Sequence, residues 1–232
     1  MCHIPGTPRS GWHDLDVPTT RMTRLPEKGR SDLDQLHALL DEVHLAHIGL
    51  VADDSPFVVP TGIVRDGDQV LVHGSTGSRW MRSVATGADV CVAVTSLDAV
   101  VVARSAFESS FHYRSAVLFG RFSPVPNAEK EAALDLLVEG LVPGRAREVR
   151  GSTARELAAT LVLSMPIEQW SLRVSEDWPD DEEADVEGPA WAGVVPVATS
   201  YGVPQPAPDL RDGIEVPASV RALSAQPRPA CP

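Results

Sequence analysis

Apolar residues recur at helical spacing in only a few stretches of this chain; in most others they alternate with polar residues or run together. Leu33, Leu36, Leu39, Leu40 and Val43 follow a 3.6-residue period. With Ser31 and Asp34 as a capping box, they predict an amphipathic helix from about Asp32 to His44. AHIGLVADD and PFVVPTGIVRD come next, two runs rich in β-branched residues with Asp53, Asp54, Ser55 and Pro56 at the turn between them, which predicts a hairpin. Asp66 and Gly67 then turn the chain into QVLVHGS, a third strand. In STGSRWMRSVATG the period changes, and Ser78 can cap a short helix that ends at Gly87. DVCVAVTSL and AVVVARSAF read as two strands joined at Asp98, and FHYRSAVLFGRFSPV reads as a sixth.

Six short strands at hairpin spacing, interrupted by few helices, predict a mainly β fold with α elements (α+β), built on a six-stranded antiparallel barrel. Beyond the barrel, NAEKEAALDLLVEGLV predicts a helix stopped by Pro143 and Gly144. A shorter helix follows Ser152, and LVLSMPIEQWSLRVS reads as a closing strand. The flanks differ in kind. Residues 1–30 hold four prolines and three glycines with no apolar period, so they predict an extended arm. Residues 31–175 form the folded domain. Residues 176–232 turn acidic and then proline-rich, and WAGVVPV is the one stretch in them that reads as an edge strand.

Charge sharpens this division. The 232 residues carry 20 basic and 32 acidic side chains, a net −12, which excludes a general affinity for nucleic acid or an anionic membrane. Eight carboxylates and no base lie between Glu176 and Glu187, however, so the excess belongs largely to one segment. The remainder is nearly balanced and uses Arg almost to the exclusion of Lys. That bias suits bidentate holding of phosphate or carboxylate, and GC-rich coding produces it equally well. Cys2, Cys91 and Cys231 are too dispersed for a disulfide framework or a Cys-x-x-Cys metal site. With no signal profile and no apolar run of membrane length, the expected location is the cytoplasm.

Three stretches carry candidate chemistry. In VHGSTGSR a strand ends at His73 and a Gly-Ser loop leads into a helix. Backbone N–H groups of such a loop approach an anion closely, and Arg79 adds a full charge, whereas a plain turn and cap would use the same residues. In ARSAFESSFHYRSAVLFGR, Arg and hydroxyl residues at alternate strand positions share one side and can line a polar pocket or a solvated face. In VVPTG, Pro60 leaves a ladder position unpaired, as at an edge strand or beside a flat ligand. His44 and His47 lack a third ligand at metal spacing, so no metal site is expected. The chain contains no G-x-S-x-G, Walker or G-x-G-x-x-G motif.

VVPTG, DGDQVLVHGSTGSRWMR, VCVAVTSLDAVVVARSAF, YRSAVLFGR, the EKEAAL helix with LVPGR, PIEQWSLRV and PAWAGVVPV follow one another in an order that resembles a known family. That family is the flavin-nucleotide-binding branch of the pyridoxamine 5′-phosphate oxidase superfamily, which includes nitroimidazole-resistance-type proteins. The resemblance implies a split β-barrel that forms a homodimer with FMN in grooves at the subunit interface. Val59, Pro60 and Thr61 would lie along the flavin ring. His73, Gly74, Ser75, Ser78 and Arg79 would enclose the phosphate. Tyr113, Arg114 and Ser115 would complete the pocket, and Trp191 would come from the partner. Where many relatives carry two histidines after Ser-Ala-Phe, this chain has Glu108 and Ser109. The substrate motif of the B6 oxidase itself is not recognisable.

Two functions follow from these readings. The first is an FMN-dependent oxidoreductase that reduces a small organic molecule such as a nitroaromatic, with His73 as candidate proton donor. The second is a carrier or sensor that holds flavin, deazaflavin F420 or haem without turnover. Haem would take its axial ligand from among His3, His13, His44, His47, His73 and His112.

Overall fold

A computed structural model describes residues 25–225 of the chain. Its first strand is β1 (Gly29–Arg30), which pairs with a strand near residue 173, so this end of the predicted arm joins the sheet. Helix α1 (Leu33–Glu42) buries Leu36, Leu39 and Leu40, the stripe its period predicts. The cap is Asp32 rather than Ser31: its carboxylate accepts from the N–H groups of Asp34 and Gln35, at 2.9 and 3.3 Å. The helix ends before His44, so His44 and His47 do not share a helical face.

The chain then runs through β2 (Leu45–Ala52), β3 (Ser55–Gly62), β4 (Val64–Asp66), β5 (Gln69–Ser75) and α2 (Arg79–Ala85). Next come β6 (Asp89–Val102), β7 (Ser110–Arg121), β8 (Ser123–Pro124), α3 (Lys130–Leu141) and α4 (Ala154–Ala159). The order ends with β9 (Thr160–Pro166), β10 (Gln169–Val174), α5 (Glu183–Val186), β11 (Gly193–Pro196) and α6 (Ala218–Ala225). Two sheets result. The larger has the order β1-β10-β7-β6-β2-β3, with β11 also on β6, and the smaller is β4-β5-β9-β8. Every pairing is antiparallel, and the sheets do not close on each other, as in a split barrel.

Two departures from the sequence reading have clear physical causes. The two strands expected on either side of Asp98 are the single strand β6. A register shift between Leu97 and Ala99 takes up the irregularity, and the Asp98 side chain is hydrogen-bonded and buried instead of turning into solvent. The expected closing strand is two. Pro166 ends β9 in the smaller sheet, and after Ile167 and Glu168 the chain resumes as β10 in the larger one.

The core lies between the sheets. Ala46, Ile48 and Leu50 of β2, Val90, Val92 and Val94 of β6, and Ala116 and Leu118 of β7 meet Val70 and Val72 of β5 and Met81 and Val84 of α2. This alternation is the period of two that the sequence showed. Leu71 points the other way, into a smaller cluster with Ala133 and Leu137 of α3. Burial on both faces explains why β5 reads as a continuous apolar run.

The acidic segment does not hang free. Glu176 pairs with Arg30 (3.0 Å) and Asp177 with Lys28 (3.6 Å). The Nε2–H of His112 donates to the Asp177 carbonyl (2.5 Å), and Asp181 pairs with Arg104 (2.9 Å). Farther on, β11 lies beside the second half of β6, on the edge whose first half β2 occupies.

Candidate functional site

The side of the larger sheet away from the core is open, and strand register orders its residues into rows. Val58, Gly49, Cys91, Phe119 and Gln169 form one row. Pro60, His47, Ala93, Val117 and Ser171 form the next, and Thr95, Ser115 and Arg173 the one after. The middle rows are largely apolar and the Thr95–Arg173 row is polar. At the other end a cavity of about 670 Å³ is walled by Val51, Pro56, Val58, Cys91 and Phe119, with Asp89, Arg121, Glu168 and Gln169 on its polar side. Gly49 keeps its floor flat, because a Cβ there would stand 2.7 Å from the Cys91 sulfur.

At the polar end Arg173 holds a distinctive position. Its guanidinium lies 5.2 Å from the centre of the Tyr113 ring, a cation–π contact. It forms no ion pair with any described residue, and its buried Nε has no hydrogen-bond partner. A half-buried cation with an orphaned donor beside two hydroxyls is chemically suited to an anion such as phosphate.

The residues singled out in the sequence divide into separate groups. Tyr113, Ser115 and Pro60 belong to the open face by register. Val59 and Thr61 alternate with Pro60, opposite Ile48 and Ala46 on the core side of β3. Arg114 also faces the other way. It donates to both carboxylate oxygens of Asp98 (3.0 and 2.8 Å), to both of Glu42 (2.8 and 3.0 Å) and to the Ser96 hydroxyl (3.2 Å). The Asp98 hydrogen bonds outweigh burial and, with Glu42, hold the guanidinium well above its ordinary pKa. Its charge is thus offset by two carboxylates within the fold.

The Gly-Ser loop sits on the smaller sheet. His73 and Ser75 are exposed at the end of β5, and Gly74 lets Met81 of α2 approach, a Cβ there standing 3.0 Å from Met81 Cγ. Ser78 stands at the N-cap without a side-chain cap bond, and the Ser75 hydroxyl accepts from the Gly77 N–H (3.1 Å). Arg79 is 81% exposed and pairs with Asp53 at the β2–β3 turn. The residues after β6 lock a turn: the Ser109 hydroxyl accepts from Ala103 N–H and donates to the Ser105 carbonyl. Trp191 is exposed just before β11. Of the candidate haem ligands, His47 and His73 are exposed, His112 is tied to Asp177, and the His44 carbonyl accepts from Ile63. His3 and His13 lie outside the described residues.

Sequence reasoning missed Arg173. The signal was present, since it is the one charged residue in the strand QWSLRV, but its isolation from carboxylates is visible only after folding.

Two packed antiparallel sheets that stay unclosed define the split-barrel class of fold. The family profile described as Pyridoxamine 5'-phosphate oxidase matches residues 32–174, and the chain belongs to that family. It is similar to the FAD and heme binding protein from Mycobacterium smegmatis, with 49% identity over 85% of this chain and 97% of that one, at a TM-score of 0.83. It is also similar to the flavocytochrome Anf3 from Azotobacter vinelandii, with 35% identity over 88% and 95% of the two chains and a TM-score of 0.83. A putative 5-nitroimidazole antibiotic resistance protein from Bacteroides thetaiotaomicron shares the fold, at 17% identity over 64% and 90% of the chains and a TM-score of 0.52. No curated protein matches the chain. Among the described residues no helix is long and apolar enough to cross a membrane.

Proposed function

We propose that the chain holds a flavin nucleotide on the open face and acts with it as an oxidoreductase on a small organic two-electron acceptor, nitroaromatic-like in class. The observation that carries this reading is the half-buried Arg173, which forms no ion pair among the described residues and lies beside Tyr113 and Ser115 on the open face. Arg173, Ser115 and Thr95 would hold the anionic part of the nucleotide. The apolar rows would keep water from the ring system, and the loop Ser75–Arg79 is the alternative phosphate contact. Bound flavin would supply the hydride or electron transfer. FAD is favoured over the FMN expected from the sequence by the 49% identical relative that binds FAD.

The test is the visible spectrum of the purified protein, with the released chromophore identified by mass. Flavin bands bleached by NAD(P)H and restored by a nitroaromatic are expected, and a protein that takes up neither FAD nor FMN overturns the reading. Arg173→Ala is expected to weaken flavin binding by about 1.5–3 kcal/mol, the scale of a charge-assisted hydrogen bond. Arg79→Ala should cost less, because its exposed guanidinium already has Asp53 as partner.

Haem is a second cofactor that the residues present fit. The 49% and 35% identical relatives described above are named for it, as a heme binding protein and a flavocytochrome. The cavity of about 670 Å³ has an apolar wall of Val51, Pro56, Phe57, Val58 and Phe119 beside Asp89, Arg121 and Glu168, and His47 is exposed on the same face, one row away. A Soret band that disappears in His47→Ala while the flavin bands persist is the expected result. We further propose that a second copy of the chain covers the open face, where Val51 and Val58 are exposed.

A further inference from the structure

Helix α1 ends on two adjacent carboxylates that bind different sheets. Asp41 accepts a fork of hydrogen bonds from Arg65 of β4, at 2.8 and 2.6 Å, which ties the helix to the smaller sheet. Glu42 accepts a second fork from Arg114 of β7, at 2.8 and 3.0 Å, which ties it to the larger one. Forks of this kind fix orientation as well as distance.

The Glu42 fork lies behind a weak place in the larger sheet. Along one edge of β6, β2 pairs only as far as Ala93 and β11 only from Ala99, so residues 94–97 have no strand partner there among the described residues. On the other edge, the register shift between Leu97 and Ala99 interrupts the ladder to β7 at nearly the same level. Backbone pairing therefore holds this part of β6 less firmly than the rest, and a cluster of side chains supports it. Arg114 donates to Asp98 and to Glu42, and the Ser96 hydroxyl lies 3.1 Å from Glu42 and 3.0 Å from Asp98. The cluster is on the core side of the strands. Thr95, Tyr113 and Ser115 alternate with Ser96 and Arg114 and so face the open side, where Ser115 pairs with Arg173.

We infer that Glu42 is a positioning residue for the open face: through Arg114, Ser96 and Asp98 it fixes β6 and β7 at the level of Thr95, Ser115 and Arg173. That row is the one assigned above to the anionic part of the nucleotide, and the inference rests on that reading. Donors hold a ligand well only when their own spacing is kept within about 0.5 Å, and the cluster behind the row supplies that constraint.

The experiment compares the full chain with Glu42→Gln and Asp41→Asn, by flavin-fluorescence titration with FAD and by visible circular dichroism of the bound flavin. Each variant removes one charge from one arginine fork at the same end of α1, so both should lower the urea midpoint by similar amounts. Glu42→Gln alone is expected to weaken FAD binding about fivefold, the scale of one impaired hydrogen bond, and to alter the dichroism. Ser96→Ala loosens the same cluster without removing a charge and should act in the same direction. In an Arg173→Ala background, Glu42→Gln should cost less than about twofold further, because a donor that it positions is gone. Parental affinity and dichroism in Glu42→Gln, an equal loss in Asp41→Asn, or full additivity with Arg173→Ala would each overturn the inference while the flavin reading stands. A parent chain that takes up neither FAD nor FMN overturns both.

Discussion

Arg114 and Arg173 lie in neighbouring strands, yet register turns them to opposite faces: Ser115 is the partner of Arg173, and Val174 that of Arg114. The two charges therefore have different consequences. Arg114 holds Asp98, which is buried, and Glu42 together, so its removal leaves a buried carboxylate without a counter-charge. Arg114→Ala is expected to destabilise the fold by about 3 kcal/mol, the low end for a broken buried pair because Arg114 and Glu42 remain partly exposed; the urea midpoint measures this. Arg173 has no carboxylate partner among the described residues, so Arg173→Ala should leave the midpoint nearly unchanged while flavin affinity drops. The sequence reading put Tyr113, Arg114 and Ser115 in one pocket, and the period of two along β7 corrects it by turning Arg114 away from the other two. Which of them faces a carboxylate was not legible, because Glu42 lies 72 residues from Arg114 in the chain.

At the scale of elements, α3 and the acidic strap test different forces. A Cβ on Gly140 would stand 2.4 Å from a methyl of Val64, so α3 packs on β4 only because that helix position is bare. Gly140→Ala should therefore destabilise by about 1–2 kcal/mol, overpacking outweighing a helix-propensity gain of about 1 kcal/mol. Adding Val64→Ala should recover much of the loss, as thermal unfolding of the pair of variants will show. The strap is held by charge instead. Burial raises the Asp181 pKa, but hydrogen bonds from the Arg104 side chain and backbone lower it further, and the net shift is downward. A depressed folded pKa stabilises docking above the unfolded value of about 3.9, and that contribution is lost as pH falls through the folded value. Cleavage between Val174 and Gly188 by a broad-specificity protease active at neutral pH is expected to be slow, and the backbone amides of this segment are expected to lose exchange protection as pH falls through the folded value. Asp181→Asn should show fast cleavage already at neutral pH.

For the whole molecule, the open face is an apolar and polar surface that the described residues of one chain leave uncovered. If a second copy covers it, sedimentation should give twice the mass of a single chain, and Val58→Asp should shift the equilibrium toward monomer by placing a charge in the contact. Element types, the antiparallel mainly β plan and the acidic extension were determined by the sequence alone, since hydrophobic period, turn residues and charge runs act between near neighbours. The Gly-Ser loop and the Arg-Ser strand were equally visible as candidates. Tertiary structure decided three things that local pattern does not contain. It made one strand of the two expected around Asp98 by burying that carboxylate against Arg114. It tied the strap to Lys28, Arg30 and Arg104 instead of leaving it in solvent. It also left Arg173 as a half-buried cation without a counter-ion among the described residues. Each depends on which distant strands become neighbours and in what register, because burial and ion pairing are set by distances across the sheet and not along the chain.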